Sequence, residues 1–330
     1  METARLLDVL EICMPVFAVL GLGKLLGLKG HIKPEHCGFI NWLVYTFSLP
    51  SLIFNAVARQ TFKSFLDPAV IAMPLAALVV VALLTMGVAK VARFKGPFAA
   101  AFVFGTFWAN ASYIGFPLCI NAFGEAGEAK AAVYNAFVLP FFIVFGYLLI
   151  GLYGDGSGET KIGSRIKKAF LNPILLSAVA GILVALLADQ FRSDQGQLQL
   201  PATLLSVASL TGAFLKMIGS MGLPLALLSI GASLKWEHSN SRKLALAWTV
   251  GCKLLLLPLT TLLLILWLLP GTETTSKGVA VILAGTPMAV ASYVISCQLG
   301  IERSFVAAML VISTALSVIT IPVWMYVLIR

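Results

Sequence analysis

The chain has 330 residues, 59% hydrophobic and 11% charged, with a formal net charge of +9. A water-soluble domain could not hide so much apolar surface, so the composition excludes a soluble enzyme or binding module and indicates an all-α polytopic membrane protein. The positive balance does not point to nucleic acid, because Lys and Arg stand in short clusters between apolar runs, where they set orientation and meet anionic head groups.

Hydropathy predicts ten transmembrane helices, at about 6–26, 36–58, 66–90, 96–122, 128–152, 169–189, 203–234, 242–269, 276–299 and 302–329. The first carries Asp8 and Glu11 and lacks a basic start, so it does not read as a removable signal. It contains Pro15, followed eight residues later by Gly23. The second contains SLPSLIF around Pro50, and the third contains Pro74.

Span four carries the most informative stretch, Trp108–Asn121, which reads WANASYIGFPLCIN. It places Asn110, Ser112, Gly115 and Pro117 near the expected bilayer midplane. Proline removes a backbone donor and clashes with the preceding turn, and glycine weakens the helix further. A helix breaks at such depth only where its freed amides and carbonyls meet protein or water. The sequence therefore predicts a broken helix with Asn110 beside the break. Span five adds Asn135 and Pro140, and the Gly-, Ser- and charge-rich stretch Gly154–Lys168 predicts a loop.

That loop separates five spans from five. Residues 1–152 form the first expected repeat, 153–168 a cytoplasmic linker and 169–330 the second repeat. Pro173 and Gly181 in span six match the spacing of Pro15 and Gly23. GLPLALL around Pro224 matches span two, and Pro258 in span eight matches Pro74. Pro287 in span nine corresponds to Pro117, and Pro322 to Pro140, at offsets that have diverged. An odd number of spans per copy inserts the second copy upside down, giving a 5+5 inverted repeat of the kind secondary transporters use. Their binding sites lie where interrupted helices of the two halves meet, here spans four and nine.

Span nine reads AGTPMAVASYVISCQLG over Ala284–Gly300 and supplies Pro287, Ser292 and Tyr293. Two facing breaks expose unpaired amides and carbonyls, and the amide ends favour an anion. Lys253 stands about eleven residues into span eight, too deep for snorkelling. It either attracts the anion or pairs with helix-end carbonyls. Neither the five cysteines nor the three histidines form a metal-ligand spacing, so no metal or cofactor is expected. Loops after odd-numbered spans hold fourteen Lys and Arg against seven elsewhere outside the membrane, which predicts both termini outside the cytoplasm.

Asn110-x4-Gly115-x-Pro117-Leu118 with Phe123–Gly124, and TPMAVASYVISCQLG, resemble the fourth- and ninth-span signatures of the auxin efflux carrier family. LPSLIF at Leu49–Phe54 and Lys253-x4-Pro258 fit its second and eighth spans. The resemblance is to a compact, prokaryotic-type member. It implies a bile-acid-symporter-like, NhaA-like architecture with Pro-broken crossover helices. Spans one, two, six and seven (6–58 and 169–234) would form a scaffold, and the rest (66–152 and 242–329) a transport domain. It further implies that Asn110 and Pro117 are the crossover pair of span four and Pro287 its counterpart, with Asn135 facing substrate. Plant members have a second proline where this chain has Ser292.

The expected function is an elevator-type carrier for a small organic carboxylate in the cell inner membrane, driven by membrane potential or substrate gradient. Asn110, Ser112, Gly115, Pro117, Asn135, Lys253, Pro287, Ser292 and Tyr293 would form its site. No buried carboxylate pair stands in spans four, five, nine or ten, so cation coupling has little support; a sodium- or proton-coupled symporter of the same fold is the alternative. The lipid bilayer is the expected partner, and a homodimer is compatible with the sequence. No metalloprotease motif, embedded Asp pair or Ser/His arrangement suggests an intramembrane enzyme.

Overall fold

A computed structural model describes residues 2–59, 67–153, 173–191, 201–234, 242–289, 292 and 301–328. Among these residues all regular structure is helical, apart from one isolated antiparallel bridge between Ala109 and Met288. The helices are α1 (Glu2–Leu28), α2 (Pro34–Ala58), α3 (Ala72–Val91), α4 (Gly96–Phe104) and α5 (Phe116–Tyr153). They continue as α6 (Pro173–Asp189), α7 (Ala202–Ser233), α8 (Lys243–Leu268), α9 (Thr274–Ala284) and α10 (Arg303–Leu328).

Six of these helices contain a stretch long and apolar enough to cross a membrane: α1, α2, α3, α7, α8 and α10. The chain is therefore a multi-pass membrane protein. The other expected spans are divided differently. Span four is split between α4 and the start of α5, and α5 turns at Gly124 (φ +59°) before continuing as span five. Glycine reaches that left-handed conformation without steric cost. The predicted loop Gly154–Lys168 lies outside the described residues.

Proline shapes the helices in a recurrent way. Three π turns, Val44–Ser48, Ala111–Gly115 and Cys252–Leu256, each end two residues before a proline: Pro50, Pro117 and Pro258. The proline ring collides with the carbonyl four residues back, and one wider turn relieves the collision. In α8 that carbonyl belongs to Leu254, and it accepts a hydrogen bond from Trp324 Nε1 of α10 at 2.9 Å.

Helix α1 packs along α7, and α2 packs on both α6 and α7. Small residues allow this closeness, since helices in lipid associate by backbone approach and close packing. A Cβ on Gly23 would overlap the Leu228 carbonyl, and one on Gly27 would meet the Ala232 backbone within 2.9 Å. Across the other pair, a Cβ on Gly181 would stand 3.1 Å from the Phe54 carbonyl oxygen. Gly23 and Gly181 each follow a proline by eight residues, and Leu228 and Phe54 each follow one by four. The two helix pairs thus use the same contact at the same register.

The remaining helices form a second group, with α3 on α8, α8 on α9, α9 on α5, and α10 against α4, α8 and α9. At one end of this group Lys130 of α5 bonds Asp67, just before α3, at 2.9 Å and lies 3.4 Å from Glu273, which precedes α9. Burial pushes the Asp67 carboxyl up, but hydrogen bonds from Ser276 and Lys130 and the Lys130 charge outweigh it and hold the group below its ordinary value. A carboxyl depressed in the fold adds stability above its unfolded value and loses it as pH falls through the folded one. Asp67→Asn is expected to lower stability by about 1–2 kcal/mol at pH 7, intermediate between exposed and buried pairs. Melting curves in detergent should converge with wild type below about pH 4. Equal melting at pH 7 would remove the clasp.

Candidate functional site

Helix α4 ends because Gly105 and Thr106 end it. Thr106 Oγ1 folds back onto the Val103 carbonyl at 2.7 Å, satisfying an acceptor that a continuing helix would have used. Gly105, Thr106 and Phe107 close the last turn through amide bonds to Ala101, Val103 and Phe104. Residues 108–110 then cross the protein without helical bonds, and the chain resumes helical geometry at Ala111. Helix α9 ends the same way. Thr286 Oγ1 donates to the Leu283 carbonyl at 2.8 Å, and Pro287 cannot continue the ladder.

The two interruptions meet. The Asn110 amide donates to the Pro287 carbonyl at 2.8 Å, and the Ala289 amide donates to the Trp108 carbonyl at 3.3 Å. Ala109 and Met288 face each other as the antiparallel bridge between these bonds. The Met288 amide is taken up by Ser313 Oγ of α10 at 3.1 Å. Backbone groups freed in apolar surroundings are thus paired within the protein, as they must be. Gly115 permits the approach, since a Cβ there would overlap Leu283 and come within 2.9 Å of the Thr286 methyl carbon. Trp108 and Phe107 pack on Phe142 of α5, with ring centres 5.9 and 6.0 Å away, and fix the crossing segment to its neighbour.

The described residues at the crossing are largely shut off from outside. Asn110, Asn135, Lys253, Thr286 and Ser292 are buried, while Ser112 is half-buried. Lys253 Nζ donates to the Ala284 carbonyl, the last of α9, at 2.6 Å. Of the two roles open to this lysine, capping a helix end has its partner among the described residues. Ser112 Oγ donates to Asn135 Oδ1 at 2.7 Å, and Asn135 Nδ2 donates to the Ala131 carbonyl at 2.8 Å. Ser292 Oγ bonds the Ala289 carbonyl. Asn110 Nδ2 has no hydrogen-bond partner among the described residues. Beside it, the amides of Ile114 and Gly115 both donate to the Asn110 carbonyl, so Ala111, Ser112 and Tyr113 precede the first internal bonds of that helix. The arrangement is a cluster of donors at the positive end of a helix, suited to an anion. Tyr293 lies outside the described residues.

One expectation is corrected. Pro117 does not make the break in span four. The break lies within residues 105–110, and Pro117 sits beyond it, two residues after the π turn Ala111–Gly115. Its effect is the preceding π turn. The pairing of Pro117 with Pro287 as equivalent positions fails for the same reason. Residues 105–113 read GTFWANASY and residues 285–293 read GTPMAVASY, identical at six of nine positions. In that register Pro287 matches Phe107, and the Gly-Thr pair that ends α4 matches the Gly-Thr pair that ends α9.

Residues 8–325 match the family described as "Membrane transport protein". The chain belongs to the membrane transport protein family. The auxin-efflux-carrier resemblance read from spans four and nine agrees with this membership. Among its relatives, an uncharacterized transporter of Methanothermobacter thermautotrophicus is 24% identical over 327 residues, 96% of this chain and 98% of the relative. An uncharacterized transporter of Methanocaldococcus jannaschii is 22% identical, over 97% of this chain and 99% of its own. A Rhizobium meliloti protein described as "Putative malonate transporter" is 23% identical, over 97% and 96%. The family and these relatives are transporters, not enzymes. Within this member of the membrane transport protein family, sequence reading missed Ser313, which takes up the Met288 amide at the crossing, and Trp324, which takes the Leu254 carbonyl of α8. The signal for Ser313 was the run of polar residues Ser313, Thr314 and Ser317 in an otherwise apolar span.

Proposed function

We propose that this membrane transporter is a secondary carrier for a small organic carboxylate. The observation that carries the reading is the unpartnered side-chain amide nitrogen of Asn110 beside the free backbone amides of Ala111, Ser112 and Tyr113 in the π turn before α5, at the place where two helix breaks pair. These groups offer several donors to one anionic group in a site screened from water, where each bond is worth more than in solution. Ser112, Asn135 and Ser292 border the donors, and Pro287 and Gly115 set the backbone approach, with Pro117 following the π turn. The malonate description of one relative supports a short dicarboxylate as the substrate class.

The carrier works as an elevator. Helices α3–α5 and α8–α10 move as one body past α1, α2, α6 and α7, and the ten spans form two inverted repeats. Support comes from the two packing groups, from the matched contacts of Gly23 and Gly181, and from the GT-x2-A-x-ASY repeat at the breaks. The protein sits in the cell inner membrane with both termini outside the cytoplasm, as its Lys and Arg distribution favours. An anion leaving a negative interior gains about 2.3 kcal/mol per charge per 100 mV, enough for export without a coupled ion.

Purified protein in liposomes is expected to carry a net, saturable flux of labelled malonate or another short carboxylate, with a rate that follows an imposed potential and ignores sodium. Flux that requires sodium at zero potential would replace this reading with a coupled symporter. Absence of flux for a panel of carboxylates would end it.

A further inference from the structure

Helices α8 and α10 leave a crevice of about 530 Å³ between them. Its walls are apolar along almost their whole length, with Leu254 and Leu255 on one side and Leu316 and Ile319 on the other. Leu255, Leu316 and Ile319 are exposed, so in a membrane this crevice opens onto lipid. Along α8 it runs from Lys243 to Leu255. Twelve residue steps at about 1.5 Å make roughly 18 Å, close to the ~15 Å hydrocarbon depth of one leaflet. The crevice therefore has the length of a single acyl chain, reaching from head-group level to the midplane.

Charge distinguishes its mouth from an ordinary lipid-facing groove. Lys243 lines the rim and is exposed, with no ion pair among the described residues. Arg242, next to it, holds a left-handed backbone (φ +78°) and places its guanidinium 3.6 Å from the centre of the Phe98 ring and 5.5 Å from that of Phe94. Phe94 is flanked in sequence by two further basic residues, Arg93 and Lys95. Each basic residue near the surface adds about 1 kcal/mol of attraction for an anionic head group.

We infer that the α8–α10 crevice is a binding site for one anionic phospholipid, its acyl chain between the two helices and its phosphate at Lys243. The inner end of the chain would lie against Leu254 and Leu255, in the same π turn that carries Lys253 to the end of α9. The lipid would brace the helix that caps the crossing.

Native mass spectrometry of delipidated protein, titrated with phosphatidylglycerol or phosphatidylcholine, tests this without using transport. Wild type is expected to retain one phosphatidylglycerol in preference to phosphatidylcholine. Lys243→Ala should weaken phosphatidylglycerol about fivefold and leave phosphatidylcholine unchanged. Gly251→Trp should displace both, because a side chain at Gly251 enters open space on the crevice wall. Ile319→Trp, from the opposite wall, should do the same, and unchanged melting temperatures would show that both variants fold. Equal retention of the two lipids by wild type would overturn the inference, as would full retention in both folded tryptophan variants. A dimer that dissociates in those variants would also overturn it, by assigning the crevice to a second copy.

Discussion

Replacing Lys253 by Met is expected to reduce transport by about 100-fold and to lower stability by about 1–3 kcal/mol. The side chain is fully buried, and its one bond is to the final carbonyl of α9. Met nearly matches the volume but brings no donor, so the Ala284 carbonyl loses its partner in apolar surroundings, at the cost of an unsatisfied acceptor. The larger effect is geometric. Ala284 is three residues from Pro287, whose carbonyl accepts the Asn110 amide, so slack at the end of α9 passes directly into the crossing. Misplacement of binding groups by about 1 Å costs on the order of 100-fold in comparable sites. Lys253→Gln, one bond shorter but still a donor, should recover part of both losses. Uptake in proteoliposomes and melting in detergent check the two parts separately. Wild-type uptake by the Met variant would exclude Lys253 from the working of the crossing.

The membrane class and the two interruptions were legible because they depend on local chemistry. An apolar run long enough to cross lipid declares itself by composition, and a proline or glycine inside it marks weak helical bonding. The equal spacing of Pro15–Gly23 and Pro173–Gly181 was visible as a sign of repetition, but not that these glycines are where α1 meets α7 and α2 meets α6. What makes the site was less visible, because it is made by tertiary pairing. No pattern in span eight says that Lys253 meets Ala284, 31 residues on, or that Trp324 takes the carbonyl that Pro258 displaces. Following prolines also misled the alignment of the halves. Proline disturbs the turn before it, and in span four that turn is a π turn rather than the break. The residues that end α4 and α9 are Gly105–Thr106 and Gly285–Thr286, whose caps are ordinary short polar contacts. Proline therefore marks a region where a membrane helix is weak, while the small hydroxyl residues mark where it stops.

Asn110→Ala is expected to lower affinity for the substrate carboxylate by roughly 10- to 100-fold while leaving melting unchanged or raising it. The two outcomes have one cause. Asn110 Nδ2 is buried with no partner among the described residues, a condition that costs about 1–3 kcal/mol. A fold keeps such a group only when something outside the fold pays it back, and an anion arriving at the crossing does so by accepting its hydrogen bond. Alanine removes both the cost and the bond. The backbone of residue 110 keeps its amide link to Pro287, so the crossing survives the change. Asn110→Asp should bind more weakly still, because it sets a negative group against the carboxylate. The opposite pattern, lower melting with normal uptake in Asn110→Ala, would make the amide a structural element. The donor cluster at the start of α5 would then have no claim on the substrate.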